Sequence, residues 1–149
     1  LGPSITVVPA AVGASPGPAT FLVHASGGMG RLEGGEGRRD GFFSSAAVDV
    51  TTLDDFVYSQ GHPAPGLIKM DLEGGEGAAL RGMLRLLRER RPCLLIELHG
   101  AQAAAETARE LRAAGYRLHL IQDGFPVVDS GEPARLPKHV VAMSPEAPA

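Results

Sequence analysis

Hydrophobic residues recur along this chain with two periods, and the changes between them predict alternating strands and helices. The β-branched run "ITVVP" predicts a strand over about residues 5–9, running into a loop at Ala10 and Ala11. "ATFLVHA" (19–25) alternates as a second strand does, whereas residues 26–45 are glycine-rich, hold no sustained period and read as a mobile loop. A short strand over 47–50 is followed by a short helix opened by Thr51 or Thr52, with Asp55 three positions after Thr52 in an approximate capping box.

The second half is more regular. "GLIKMDL" (66–72) reads as a strand. From Glu76 to Arg90, Ala79, Leu80, Met83, Leu84 and Leu87 fall on one helical face and Arg81, Arg85 and Arg88 on another, with Pro92 ending the helix. "CLLIELHG" (93–100) is a near-continuous apolar strand, the pattern expected where helices cover both faces of a sheet. Residues 102–114 form a helix with Ala104, Ala108 and Leu111 inward and Gly115 at its C-terminal cap. Strands at 116–122 and 138–144 follow. This order predicts an α/β fold with a mostly parallel sheet in a single domain over 1–149.

Composition narrows the function more than the fold. The chain is 44% hydrophobic but only 5% aromatic and has no Trp, so Leu, Val, Ile and Ala must build the core. A net charge of −3 gives no electrostatic reason to expect a nucleic-acid partner. The single cysteine, Cys93, excludes an internal disulfide and a multi-cysteine zinc site and fits a reducing compartment, so a cytoplasmic location is expected. No apolar run has the length of a membrane span, and no membrane association is expected.

In open α/β sheets, ligands bind beyond the carboxyl ends of strands. One strand here ends "MDLEGGE" and another "IELHG", so Asp71, Glu73, Glu97 and His99 should converge on one rim. An acid before a helix also serves as a cap or dipole partner, and that reading takes Glu76. For Asp71 and Glu73, cap and ligand both stay open. His24, His62, His119 and His139 read as structural or surface residues. "GGMGRLE" (27–33) lacks the third glycine of a dinucleotide fingerprint, and Asp71-Leu72-Glu73 lacks the ligand spacing of an EF-hand.

"ITVVPAAVG", "VDVTTLDDFV", "LIKMDLEGGEGAALRG", "LLIELHG" and "HVVAM" resemble, in order and spacing, the FkbM-type methyltransferases over about residues 4–143. "IKMDLEGGEGAAL" is the most specific segment. The resemblance implies a Rossmann-like class I sheet, mostly parallel with an antiparallel final strand, and an O-methyltransferase using S-adenosylmethionine on a hydroxyl of a sugar, polyketide or similar small molecule. It places Asp71 and Glu73 beside the methionine end of the cofactor and the acceptor, Ala10 and Ala11 near the adenine, and Glu97 and His99 on the acceptor side. Asp71 or His99 would take the hydroxyl proton.

The resemblance is to the C-terminal part of such enzymes, whose glycine-rich cofactor loop lies upstream of "ITVVPAAVG". The fold is therefore expected to be a partial domain truncated at its N-terminus. This chain alone is expected to bind the cofactor poorly or not at all, and an exposed sheet edge is expected to favour a homo-oligomer. Two alternatives stand beside this reading. One is a non-catalytic, degenerate α/β module; the other is a metal-dependent transferase using Asp71, Glu73 and His99, although the sequence itself demands no metal.

Overall fold

A computed structural model describes residues 5–27, 29–34, 41–128 and 136–145. The loop expected over 26–45 is corrected where it is described, since Gly30–Leu32 and residues 42–45 are strand paired with the segment Gly17–His24; the "GGMGRLE" pattern, the turn after Asp123 and the C-terminal tail fall partly outside the described residues. Two mixed four-stranded sheets carry the fold. The first contains β1 (Ala11–Val12), β2 (Gly17–His24), β3 (Gly30–Leu32) and β4 (Phe42–Thr51) in the order β1-β4-β2-β3. The second contains β5 (Leu67–Met70), β6 (Cys93–Glu97), β7 (Arg117–Leu120) and β8 (His139–Met143) in the order β5-β6-β8-β7.

The expectation of a mostly parallel sheet is corrected. Only β1–β4 and β5–β6 pair in parallel; β2–β3, β2–β4, β6–β8 and β7–β8 are antiparallel. The reason is connectivity. A parallel neighbour needs a crossover of a dozen or more residues, usually helical, and among the described residues no helix separates β2, β3 and β4. The final strand is antiparallel to both of its neighbours, as the resemblance implied. The strand expected at 5–9 is also corrected. Those residues pair with no strand, and Ile5 and Val7 are 87% and 83% exposed. β-propensity without a neighbour makes no ladder.

Between the sheets, Thr52 Oγ1 accepts the Asp55 N–H at 3.0 Å, as the capping pattern predicted, and opens a helical segment whose turn over Asp55–Ser59 is wound as a π-helix. The helix expected over 76–90 is two helices, α1 (Glu76–Arg81) and α2 (Leu84–Glu89), broken at Gly82 and Met83. Packing explains the break. A side chain on Gly82 would meet the carbonyl oxygen of Gly13, and the Gly82 carbonyl accepts the Asp54 N–H at 3.0 Å. Helix α2 therefore starts afresh, its first turn capped from across the chain: Asp54 Oδ2 accepts the Arg85 N–H at 2.9 Å and Oδ1 the Leu86 N–H at 2.8 Å.

Helix α3 (Ala101–Ala113) buries Ala104, Ala108 and Leu111, the positions its period selected. These join Leu80, Met83 and Leu87 of the α1–α2 segment and Met70, Leu94, Ile96, Leu118, Val140 and Ala142 of the second sheet in one core. Register places Leu94, Ala142 and Leu118 in one cross-strand row. The opposite row runs through Lys69, Leu95, Val141 and His119 and is less covered, so β6 is not buried evenly on both faces as its composition suggested. Strand β5 forms one edge of its sheet.

Candidate active site

Parallel pairing of β5 and β6, with Met70 opposite Ile96, brings their carboxyl ends to one rim. The chain leaving β5 turns through two consecutive left-handed residues, Glu73 (φ 50°) and Gly74 (φ 100°), before α1 begins at Glu76. A left-handed conformation is uncommon for a non-glycine residue, so Glu73 holds it at a cost offset by the surrounding structure. The chain leaving β6 passes Leu98 and His99 and turns at Gly100 (φ 89°) into α3.

These two turns bring all four sequence-selected rim residues together around the His99 imidazole. Its Nε2 lies 3.6 Å from Asp71 Oδ1, 3.7 Å from Glu73 Oε2 and 3.5 Å from Glu97 Oε1. Its Nδ1 is 2.8 Å from Glu76 Oε1. The ring is nearly covered, at 13% exposure, while Glu76 is completely buried. Glu76 Oε1 also accepts the N–H groups of Leu72 and Gly74, both at 3.2 Å, whereas its Oε2 is buried without a hydrogen-bond partner among the described residues.

Sequence reasoning assigned Glu76 to the helix terminus alone and His139 to the surface. Both stand in this cluster. Antiparallel pairing sets His139 opposite Glu97, with Nε2 3.3 Å from Glu97 Oε2, and Lys138 Nζ reaches Glu97 Oε1 at 2.6 Å. Lys138 is the main cause that holds the Glu97 carboxyl below its usual range; burial opposes it, and His139 adds a lesser lowering effect. Lys69 pairs with Asp71 at 2.7 Å. The pairing of β8 with β6 delivers Lys138 and His139; the resemblance implied an antiparallel final strand without saying which strand it joins. The remaining histidines stand apart: His62 stacks on Phe56, His24 bonds Ser26, and His119 Nδ1 meets the Phe125 carbonyl.

One cavity of about 770 Å³ opens beside this cluster. Ala10 and Ala11, selected for the adenine side, line it together with Asp71, Gly74 and Gly75 from the rim turn and Arg81 from α1. Its volume falls in the range of small-molecule sites, and alanine and glycine walls leave the space free. Asp71 belongs to both the cavity and the cluster, whereas Glu73, Glu97 and His99 are not among the residues that line the cavity. A cation could be held by Asp71, Glu73 and His99, whose ligand atoms lie within 4.8 Å of one another.

Chemically, the cluster can accept a proton, on imidazole or carboxylate, and through Asp71 it adjoins a cavity able to hold a small molecule. No described helix is long and apolar enough to cross a membrane. No curated protein and no solved structure matches the chain significantly. The methyltransferase FkbM domain model matches residues 2–118, most of the chain and the whole of the β5–α1 and β6–α3 rim, and the protein therefore belongs to the FkbM methyltransferase family.

Proposed function

We propose that the protein transfers a methyl group from S-adenosylmethionine to a hydroxyl of a small molecule or sugar. The observation that carries this reading is that Ala10, Ala11 and Asp71 line one cavity whose Asp71 end meets the His99 cluster. The cofactor, when bound, supplies a methyl group made electrophilic by a positively charged sulfur. The small side chains of Ala10 and Ala11 accommodate the adenine, and Asp71 stands at the methionine end. Glu73, Glu97 and His99 border the acceptor, whose hydroxyl proton passes to Asp71 or His99. Proximity and alignment of two bound reactants supply most of the rate, and the proton acceptor adds roughly 10²–10⁴-fold.

The test is transfer of labelled methyl from S-adenosylmethionine to a panel of sugars and polyketide alcohols. Replacing Asp71 and His99 by Asn together should lower kcat by about 10²-fold or more for whichever acceptor is methylated, and the two single replacements show which of them takes the proton. Transfer undiminished by the double replacement would reject this site.

A second reading, a metal-dependent transferase, is favoured by the 4.8 Å grouping of Asp71, Glu73 and His99. Millimolar manganese or magnesium should then raise the melting temperature of the protein, and the Asp71→Asn, His99→Asn double variant should not respond. An unchanged melting temperature removes that reading.

A further inference from the structure

Glu76 is the one carboxylate among the described residues in the fully buried class, and it does more than start α1. Burial of a carboxyl group is costly unless its oxygens are used, and Oε1 is used three times. It takes the Leu72 and Gly74 N–H groups, which the left-handed turn at Glu73 and Gly74 directs inward, and it meets His99 Nδ1 at 2.8 Å. Two N–H donors already point at this oxygen, so it offers lone pairs whether or not Oε2 carries a proton. Nδ1 must therefore be the donor. When the imidazole is neutral, its free lone pair is then on Nε2.

Nε2 lies among the three rim carboxylates. Asp71, Glu73 and Glu97 surround it at 3.5–3.7 Å, beyond hydrogen-bonding distance. Asp71 is meanwhile engaged by Lys69 at 2.7 Å and Glu97 by Lys138 at 2.6 Å, so an ammonium already occupies each carboxylate, and an imidazole is ordinarily the stronger base of the two group types. We infer that Glu76 is a positioning residue that locks His99 as the Nδ1–H tautomer, so that Nε2 rather than Asp71 receives the acceptor's hydroxyl proton. The O–H bond would break toward Nε2, the oxygen would use the freed electron pair to bond the methyl carbon while the carbon–sulfur bond breaks and leaves its pair on sulfur, and the imidazolium would return its proton to water. The identity of the proton donor rests on the methyl-transfer reading; the tautomer does not.

Long-range ¹⁵N–¹H NMR of the imidazoles, at a pH where His99 is neutral, reads the tautomer directly. The wild-type protein should show His99 protonated at Nδ1. Glu76→Gln keeps an acceptor oxygen for the same three donors and should keep that tautomer. Glu76→Met removes the acceptor and should shift the majority to Nε2–H, the form free imidazole side chains favour.

In the methyl-transfer assay, Glu76→Met should lose about 10²-fold in kcat with KM for the acceptor little changed, and Glu76→Gln should recover most of that loss. An Nε2–H tautomer in the wild-type protein overturns the inference even if Glu76→Met does not fold. So does a tautomer that Glu76→Met leaves unchanged. An Nδ1–H tautomer in a protein that methylates nothing leaves the positioning in place and overturns the methyl-transfer reading.

Discussion

The cap on α2 by Asp54 offers the sharpest stability test, because one side chain joins the helical segment before β5 to the helix pair after it. Its two carboxylate oxygens satisfy two first-turn N–H groups, Arg85 at 2.9 Å and Leu86 at 2.8 Å, which α2 cannot satisfy itself. Capping side chains are worth about 0.5–2 kcal/mol, and the negative charge at a helix N-terminus is part of that figure rather than an addition to it. The Leu86 bond is partly buried, so water replaces it less well than the exposed Arg85 bond, which points to the upper half of the range. Asp54→Ala should therefore cost about 1–2 kcal/mol, or roughly 2–8 °C in melting temperature for a chain of this size. Asp54→Asn keeps one acceptor oxygen and should lose about half as much. Urea unfolding of the three proteins measures this. A loss below about 0.3 kcal/mol for Asp54→Ala, or an Asn variant no better than Ala, would refute the reasoning.

Two further predictions concern pH. The Tyr116 hydroxyl is buried, donates to the Pro92 carbonyl at 3.0 Å, and its pKa is pushed up to about 12 by burial. The unfolded chain then gives up this proton first, so stability should fall as pH rises from about 10 to 12, by roughly 2–3 kcal/mol, and Tyr116→Phe should flatten that slope in alkaline denaturation. Lys138 holds the Glu97 carboxyl below its ordinary range, so the contribution of their pair is present above that range and lost as pH falls through the depressed value. Wild type should exceed Lys138→Met in thermal stability at neutral pH, and the gap should close in acid; a gap that widens on acidification would contradict the pairing.

The sequence made much of this legible. The positions of β5, β6, α3, β7 and β8 follow from periodicity, and the convergence of Asp71, Glu73, Glu97 and His99 follows from strand ends. Other features depend on neighbours that periodicity does not reveal. "ITVV" has the composition of a strand and no partner, while Phe42–Ser45 looks like loop and extends β4 because β2 lies beside it. The break at Gly82 serves the close approach of Gly13, a contact between segments some 70 residues apart. The role of Glu76 was hidden for a related reason: a first-turn acid reads as a cap until its complete burial and its contact with His99 are seen.

The central claim is that the cavity beside Asp71 holds the cofactor with its reacting end toward His99. Two-dimensional NMR of the protein titrated with S-adenosylhomocysteine registers even weak binding residue by residue. Perturbations should concentrate at residues 10–13, 71–75 and His99, and should weaken in Asp71→Ala. No perturbation at millimolar ligand, or a response confined to residues away from this cavity, would contradict the account.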